Sequence, residues 1–384
     1  MGELTLTTTT TEAPVAEVAP RFYRRTTVAF LSDPTSYPHR PATVEAIETH
    51  MSFVFLAGER VYKMKKPIHL SFVDFTSLEA RRLNCEREVA LNQRLAPGVY
   101  LRTLPVVRLA DERLAMGGDG VPIEWLVVMR RLDQEGLMSQ AVGRGNVRPP
   151  DIDRLCDALA QFYADARRIE VTPTELLTSW REAVDRTEAS LIEPAFRLPR
   201  PQVGKAIKSL RVLLAGAEGL IGARARDGRI VDGHGDLRPE HVQLGPPLLV
   251  IDRLEFDERL RRLDPLDEVI FLGMECERLG AAWIGGQLVE GIKARLGDEP
   301  PAALLRFYHC YRACLRAGLS IEHLRDAKPR TPERWPRQAC EYLKLAGAVP
   351  CLSLSVIGDK VADRLAAVEP ADDVAHEICR TDDA

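Results

Sequence analysis

The chain has 384 residues, 45% of them apolar and 28% charged, with a net charge of −4. This is ordinary globular composition and excludes wholesale disorder, a collagenous fibre and a small disulfide scaffold. At roughly 150 residues per domain it suggests two or three structural units, and the acidic balance supplies no global field for nucleic acid or an anionic membrane. The 8 cysteines form no C-x-x-C and no Cys/His cluster of zinc spacing, so they read as buried free thiols in a reducing, cytoplasmic compartment. Residues 1–20, rich in Thr, Ala, Pro and Glu, lack the basic and apolar regions of a signal peptide and read as a disordered tail. No apolar run is long enough to predict a membrane span.

Taken in chain order, residues 41–48 read as a short helix. Residues 52–56 and 60–65 alternate as strands around a turn at Gly58, and Pro67 ends the pairing. Thr76 and Glu79 have the spacing of a capping box, which predicts a helix running to Leu95 before Pro97-Gly98. Strands follow at 103–109 and 123–129, with a turn near Gly117–Gly120. Composition then becomes helical at 151–169, 175–191 and 203–226, is interrupted by a β island at 230–254, and is helical again from Asp264-Pro265 to about residue 368. The expected architecture is α+β and bilobal. A small β-rich lobe spans 21–130, and a large, mostly helical lobe spans 131–384 and contains the β island.

The β island carries the chemistry. Gly233-His-Gly-Asp-Leu-Arg-Pro-Glu-His241 places Asp236 in a turn, and Leu248-Leu-Val-Ile-Asp252 brings a second carboxylate after an apolar run. Two acids on neighbouring hairpin strands can face one cleft. Phosphoryl transfer needs such a pair, one to orient and deprotonate a hydroxyl and one to hold a metal ion on the phosphates.

These residues resemble the aminoglycoside phosphotransferase family of the protein-kinase-like superfamily, over roughly residues 45–345. They resemble most its bacterial branch that is sometimes fused to an ATP-binding domain. The resemblance is carried by Glu48-Thr-His-Met-Ser-Phe-Val-Phe, Val61-Tyr-Lys-Met-Lys-Lys-Pro, His234-Gly-Asp-Leu and Ile251-Asp252. No further nucleotide-binding domain is expected here, and no G-x-x-x-x-G-K-[ST] is present. The resemblance implies a protein-kinase-like fold, with Asp236 as catalytic base, Asp252 as metal ligand and His234 as a residue that shapes the loop. It also implies a phosphate-binding lysine, Lys63 in preference to Lys65, which shares its strand face. Glu88 is chosen over Glu79 and Glu86 to hold that lysine, because it lies on the helix stripe of Leu91 and Leu95. Ser52 stands near the expected phosphate-covering turn, either as a phosphate donor or as a turn cap. Val128 and Met129 stand where the connector's backbone grips adenine.

The pattern departs at one ligand, for His241 stands where the family has Asn. His241 ligates a softer ion such as Mn²⁺, or Glu240 or Gln243 replaces it, or the metal site is weakened. Asp267 resembles the aspartate that braces the catalytic loop, while Tyr308, Tyr311, Arg312 and Arg316 read as a packing helix. The expectation is an ATP-dependent kinase using Mg²⁺ or Mn²⁺ on a small-molecule hydroxyl, with no nucleic-acid or membrane partner. The alternative is a nucleotide-binding pseudokinase with a regulatory or scaffold role.

Overall fold

The computed structural model describes residues 26–70, 73–325 and 331–347. The expected N-terminal tail, Cys351, Cys379 and the helical pattern beyond residue 347 lie outside the described residues.

The small lobe is one antiparallel sheet. β1 (Val44–Glu48), β2 (Ser52–Ala57) and β3 (Arg60–Lys65) form a meander, in which Gly58 at φ +62° allows the tight turn between β2 and β3. A minor hairpin of β4 (His69–Leu70) and β5 (Val73–Asp74) leads to α1 (Leu78–Asn92). After it come β6 (Tyr100–Arg108), β7 (Leu114–Met116) and β8 (Val121–Arg130). The spatial order is β1-β2-β3-β8-β6-β7, so β8 is enclosed between β3 and β6. Strand alternation sorts the side chains. Phe55, Tyr62, Met64, Leu126 and Val128 form a core on the outer face beneath Leu31. On the other face Tyr100 and Val127 join Cys85 of α1 and Leu249 of the second lobe.

The large lobe contains α2 (Met138–Gly143), α3 (Pro149–Ala164), α4 (Pro173–Ile192), α5 (Arg200–Arg226), α6 (Pro265–Arg278), α7 (Trp283–Leu296), α8 (Ala302–Glu322) and α9 (Arg334–Gly347). Thr172 and Glu175 cap α4 reciprocally, and the Asp264 carboxylate accepts from the Leu266 amide at 2.9 Å, with Pro265 opening α6. One apolar core runs through Leu159, Leu272, Leu288, Phe307 and Tyr342. Tyr308 and Tyr311 pack on Trp180, so this face of α8 serves packing. No described helix is long and apolar enough to cross a membrane. Cys85, Cys156, Cys276, Cys310 and Cys314 are buried free thiols, and Cys340 is partly exposed. The chain therefore has an α+β, kinase-like bilobal fold.

Three local expectations are corrected. Residues 44–48 are the edge strand β1 rather than a helix, because pairing with β2 from Val44↔Ala57 to Glu48↔Phe53 outweighs the helix preference of Glu and Ala. The N-cap of α1 is Ser77, whose hydroxyl accepts from the Ala80 amide at 3.1 Å. Thr76 is diverted to Asp74 and Glu79 to Arg82. The β island is mostly loop, pinned by two-residue strands: β9 (Val231–Asp232) pairs with β12 (Arg262–Leu263), and β10 (Val242–Gln243) with β11 (Leu249–Val250).

Candidate active site

Lys63 and Lys65 alternate onto the sheet face that looks at α1, and both reach Glu88, whose side chain is fully buried. Lys63 Nζ lies 2.8 Å from Glu88 Oε1 and 2.9 Å from Asp252 Oδ1. Lys65 pairs with the other oxygen of Glu88 and with Glu255. Burial disfavours all of these charges, but the partners offset it. The pKa of Glu88 is held below, and those of Lys63 and Lys65 above, their ordinary values. Glu255 goes the other way, its pKa raised by burial. The structure thus brings together Lys63, Lys65, Glu88 and Asp252 from separate stretches of the chain. It adds Glu255, which carries no periodic or motif signal.

Asp252 follows β11 and sits at φ +63°, a left-handed backbone that Asp tolerates better than most residues. Its amide donates to Tyr100 Oη at 2.9 Å. Burial by itself raises the pKa of the Asp252 carboxyl, but Lys63 overcomes this and holds it well below the usual carboxylate range.

Asp236 lies in the loop between β9 and β10. Gly235 adopts φ +94°, and a Cβ there would meet Leu254 Cδ1 at 3.0 Å, so glycine is required on both counts. The buried Glu268 braces this loop, accepting from the amides of His234 at 3.0 Å and Gly235 at 2.5 Å and from Tyr163 Oη at 2.8 Å. Bracing was expected of Asp267. One residue along a helix turns the side chain by about 100°, and Asp267 instead pairs with Arg312. Tyr163→Phe is expected to cost roughly 1–3 kcal/mol of stability by removing a buried bond to Glu268. Urea denaturation checks this, and an unchanged midpoint would make the hydroxyl dispensable.

His234 has both ring nitrogens engaged. Nε2 donates to the Ile251 carbonyl at 2.9 Å, and Nδ1 accepts from the Asp236 amide at 3.3 Å. Burial pushes its pKa down to about 3, so it is a neutral splint between the two acidic segments.

His241 has the opposite tautomer. Nδ1 donates to the Asp236 carbonyl at 2.8 Å, which leaves the Nε2 lone pair facing Arg238 Nη2 at 3.3 Å and Asp252 Oδ2 at 3.6 Å. Arg238 Nε also lies 3.0 Å from Asp236 Oδ1. Burial alone raises the pKa of Asp236, but Arg238 overcomes this and holds it below its ordinary value. The side chains of Asp236 and Asp252 are 25% and 38% exposed, so these two carboxylates, unlike Glu88, are open to a ligand.

Among the described residues no group of three or more His, Cys, Asp or Glu forms a closed metal cage. His241 Nε2 and Asp252 Oδ2, 3.6 Å apart, are the donors that could hold a divalent ion together with phosphate and water, provided Arg238 Nη2, 3.3 Å from Nε2, moves off the imidazole. The two proposed substitutes for His241 stand elsewhere. The Gln243 amide packs against Gly136, and Glu240 is exposed, with its charge felt at the Cys276 thiol.

Ser52 is the first residue of β2 and 2% exposed, so its hydroxyl is not offered to the cleft; the turn itself is formed by Thr49 and its neighbours. Val128 and Met129 are also corrected as the adenine grip. Both are ladder-paired on two sides, to Tyr62 and Arg102 and to Val61 and Tyr100, which occupies their backbone groups. The Val128 side chain belongs to the outer core. β8 ends at Arg130, the Arg131 amide still donates to the Glu59 carbonyl at 2.8 Å, and Leu132 and Ile251 both pack against the cluster of Tyr100, Val127 and Leu249.

No family model matches the chain. It is 32% identical over 354 residues to the uncharacterised protein Rv2004c of Mycobacterium tuberculosis, an alignment that spans 87% of this chain and 68% of the relative. The uncharacterised Mycobacterium bovis protein Mb2027c matches to the same extent. Among solved structures, the aminoglycoside phosphotransferase APH(2″)-IIia, solved with GDP and kanamycin, superposes with a TM-score of 0.51 at 17% identity, covering 84% of this chain and 98% of that one. The chain belongs to the family of the mycobacterial protein Rv2004c, and its fold is the aminoglycoside-phosphotransferase form of the protein-kinase-like fold.

Proposed function

We propose that the chain is an ATP-dependent phosphotransferase that moves the γ-phosphoryl group to a hydroxyl of a small molecule. The observation that carries this is the span of Lys63, which donates to Glu88 and Asp252 at once and so joins the sheet, α1 and the acidic loop at one cleft. Lys63 serves the nucleotide phosphates while Glu88 orients it. The purine lies near Leu132 and Ile251, where the connector's backbone is free of the sheet. Asp252 and His241 hold Mg²⁺ or Mn²⁺, which when bound neutralises charge on the phosphates. Asp236 receives the proton of the acceptor hydroxyl as its oxygen bonds to the γ-phosphorus and the bond to the β–γ bridging oxygen breaks. Held below its ordinary pKa, Asp236 is a weak base, so it chiefly orients the hydroxyl and takes the proton late. Arg238, paired to Asp236, keeps positive charge beside the reacting atoms.

The test is calorimetric titration of ATP and ADP with and without a divalent metal, followed by ADP release against a panel of hydroxyl compounds. Metal-dependent ADP release stimulated by an acceptor is the expected result. Nucleotide binding with no turnover under any metal would instead favour the pseudokinase, and no nucleotide binding would sink both readings.

The metal ligand makes a second prediction. Imidazole suits Mn²⁺ better than Mg²⁺, which prefers oxygen. Turnover is expected to favour Mn²⁺, and His241→Asn to shift the Mn²⁺/Mg²⁺ ratio severalfold toward Mg²⁺. An unchanged ratio would remove His241 from the metal site.

A further inference from the structure

Lys65 is the more enclosed of the two lysines of the cleft. Its side chain is 2% exposed, against 17% for Lys63, so it is poorly placed to touch a phosphate. Its ammonium is held between Glu88 on α1 and Glu255, which lies three residues beyond Asp252. The intervening backbone is tied down as well. The Arg253 amide donates to Asn92 Oδ1 at 3.0 Å, the Leu254 amide to the His234 carbonyl at 3.1 Å, and Arg87 Nη1 to the Glu255 carbonyl at 3.3 Å. Among these ties the Lys65–Glu255 pair alone runs from the sheet to the end of the segment. Asp252 itself sits in a left-handed conformation, which persists only where the surroundings over-determine it.

We infer that Lys65 and Glu255 form a positioning pair that clamps the 252–255 segment onto β3 and α1 and so sets the Asp252 carboxylate for the metal–nucleotide. Lys63 acts on the ligand, whereas Lys65 acts on the loop that presents the ligand's metal. This rests on the phosphotransferase reading, in which Asp252 is a metal ligand, but the clamp itself is a property of the chain alone.

The double variant Lys65→Met/Glu255→Gln removes one charge of each sign and leaves the net charge of the cluster unchanged. Two quantities are measured on it: amide hydrogen exchange across residues 252–256, and the Kd of ADP with and without Mn²⁺. Exchange in that segment is expected to accelerate while β2 and α3 keep their protection. The Kd of Mn²⁺–ADP is expected to rise about 10–100-fold, as for the loss of residues that orient metal ligands, with the Kd of metal-free ADP unmoved. Glu255→Gln alone reads the same two quantities if the double variant does not fold. Unchanged exchange across 252–256 would overturn the clamp, as would equal shifts in the two Kd values. If the wild-type chain binds no ADP, the phosphotransferase reading falls, and the exchange result still decides whether the clamp exists.

Discussion

Replacing Asp236 by Asn is expected to slow phosphoryl transfer by ~10²–10⁴-fold, the usual worth of a positioned proton acceptor. The substitution is nearly isosteric and keeps an oxygen facing Arg238 Nε, which now lies 3.0 Å from Oδ1. Neither the backbone amide that donates to His234 nor the carbonyl that accepts from His241 is altered. The loop therefore keeps its shape, and Glu268 still braces it through the His234 and Gly235 amides. Nucleotide affinity is expected to stay within a few-fold, because Lys63, Glu88 and Asp252 are untouched. Single-turnover ADP formation and calorimetry on the same preparation separate the two effects. A variant that keeps most of its turnover would remove Asp236 from the chemistry. One that loses nucleotide affinity in proportion would place it on the phosphates instead.

The parts of the site legible in the sequence are those written in local patterns. Alternation along Val61-Tyr-Lys-Met-Lys65 puts Lys63 and Lys65 on one face, and the helical stripe through Leu91 and Leu95 selects Glu88 over Glu86; the structure joins these three residues at one point. The turn formed by His234-Gly-Asp236 is legible for the same reason, since Gly235 needs a positive φ. Residues fixed by tertiary placement were not legible. Glu255 lies in a loop without period, and only the folded chain brings it to Lys65, 190 residues away in sequence. Glu268 and Asp267 are adjacent acids at a helix start, and helical rotation alone sends one to the loop that carries Asp236 and the other to Arg312. Val128 and Met129 lie on β8, which is enclosed on both sides, and the Arg131 amide still donates to the Glu59 carbonyl at 2.8 Å, so backbone free of the sheet begins only beyond Arg131. The strand at residues 44–48 was hidden for a related reason: its side chains face mostly solvent, and edge pairing leaves no apolar alternation to read.

The two lysines are expected to separate into different phenotypes. Lys63 is 17% exposed and spans Glu88 and Asp252, so it can exchange the latter contact for a phosphate. Lys63→Met is expected to weaken metal-free ADP binding by roughly 10–100-fold, the worth of a charge-assisted hydrogen bond of ~1.5–3 kcal/mol. Its stability cost is moderated, because Lys65 remains to compensate Glu88 and Asp252 can turn to water. Lys65 is 2% exposed, and its loss strands Glu88 and Glu255 in a dry interior with Lys63 as the sole nearby ammonium. Lys65→Met is therefore expected to cost ~3–5 kcal/mol of stability, the penalty of breaking a buried ion pair by removing one partner. Metal-free ADP affinity is expected to hold in the molecules that remain folded. Urea denaturation and calorimetry on both variants give the four numbers needed. The reverse ranking, with the larger affinity loss at Lys65 and the larger stability loss at Lys63, would exchange their roles. It would also move the phosphate site one turn of the strand alternation toward Pro67.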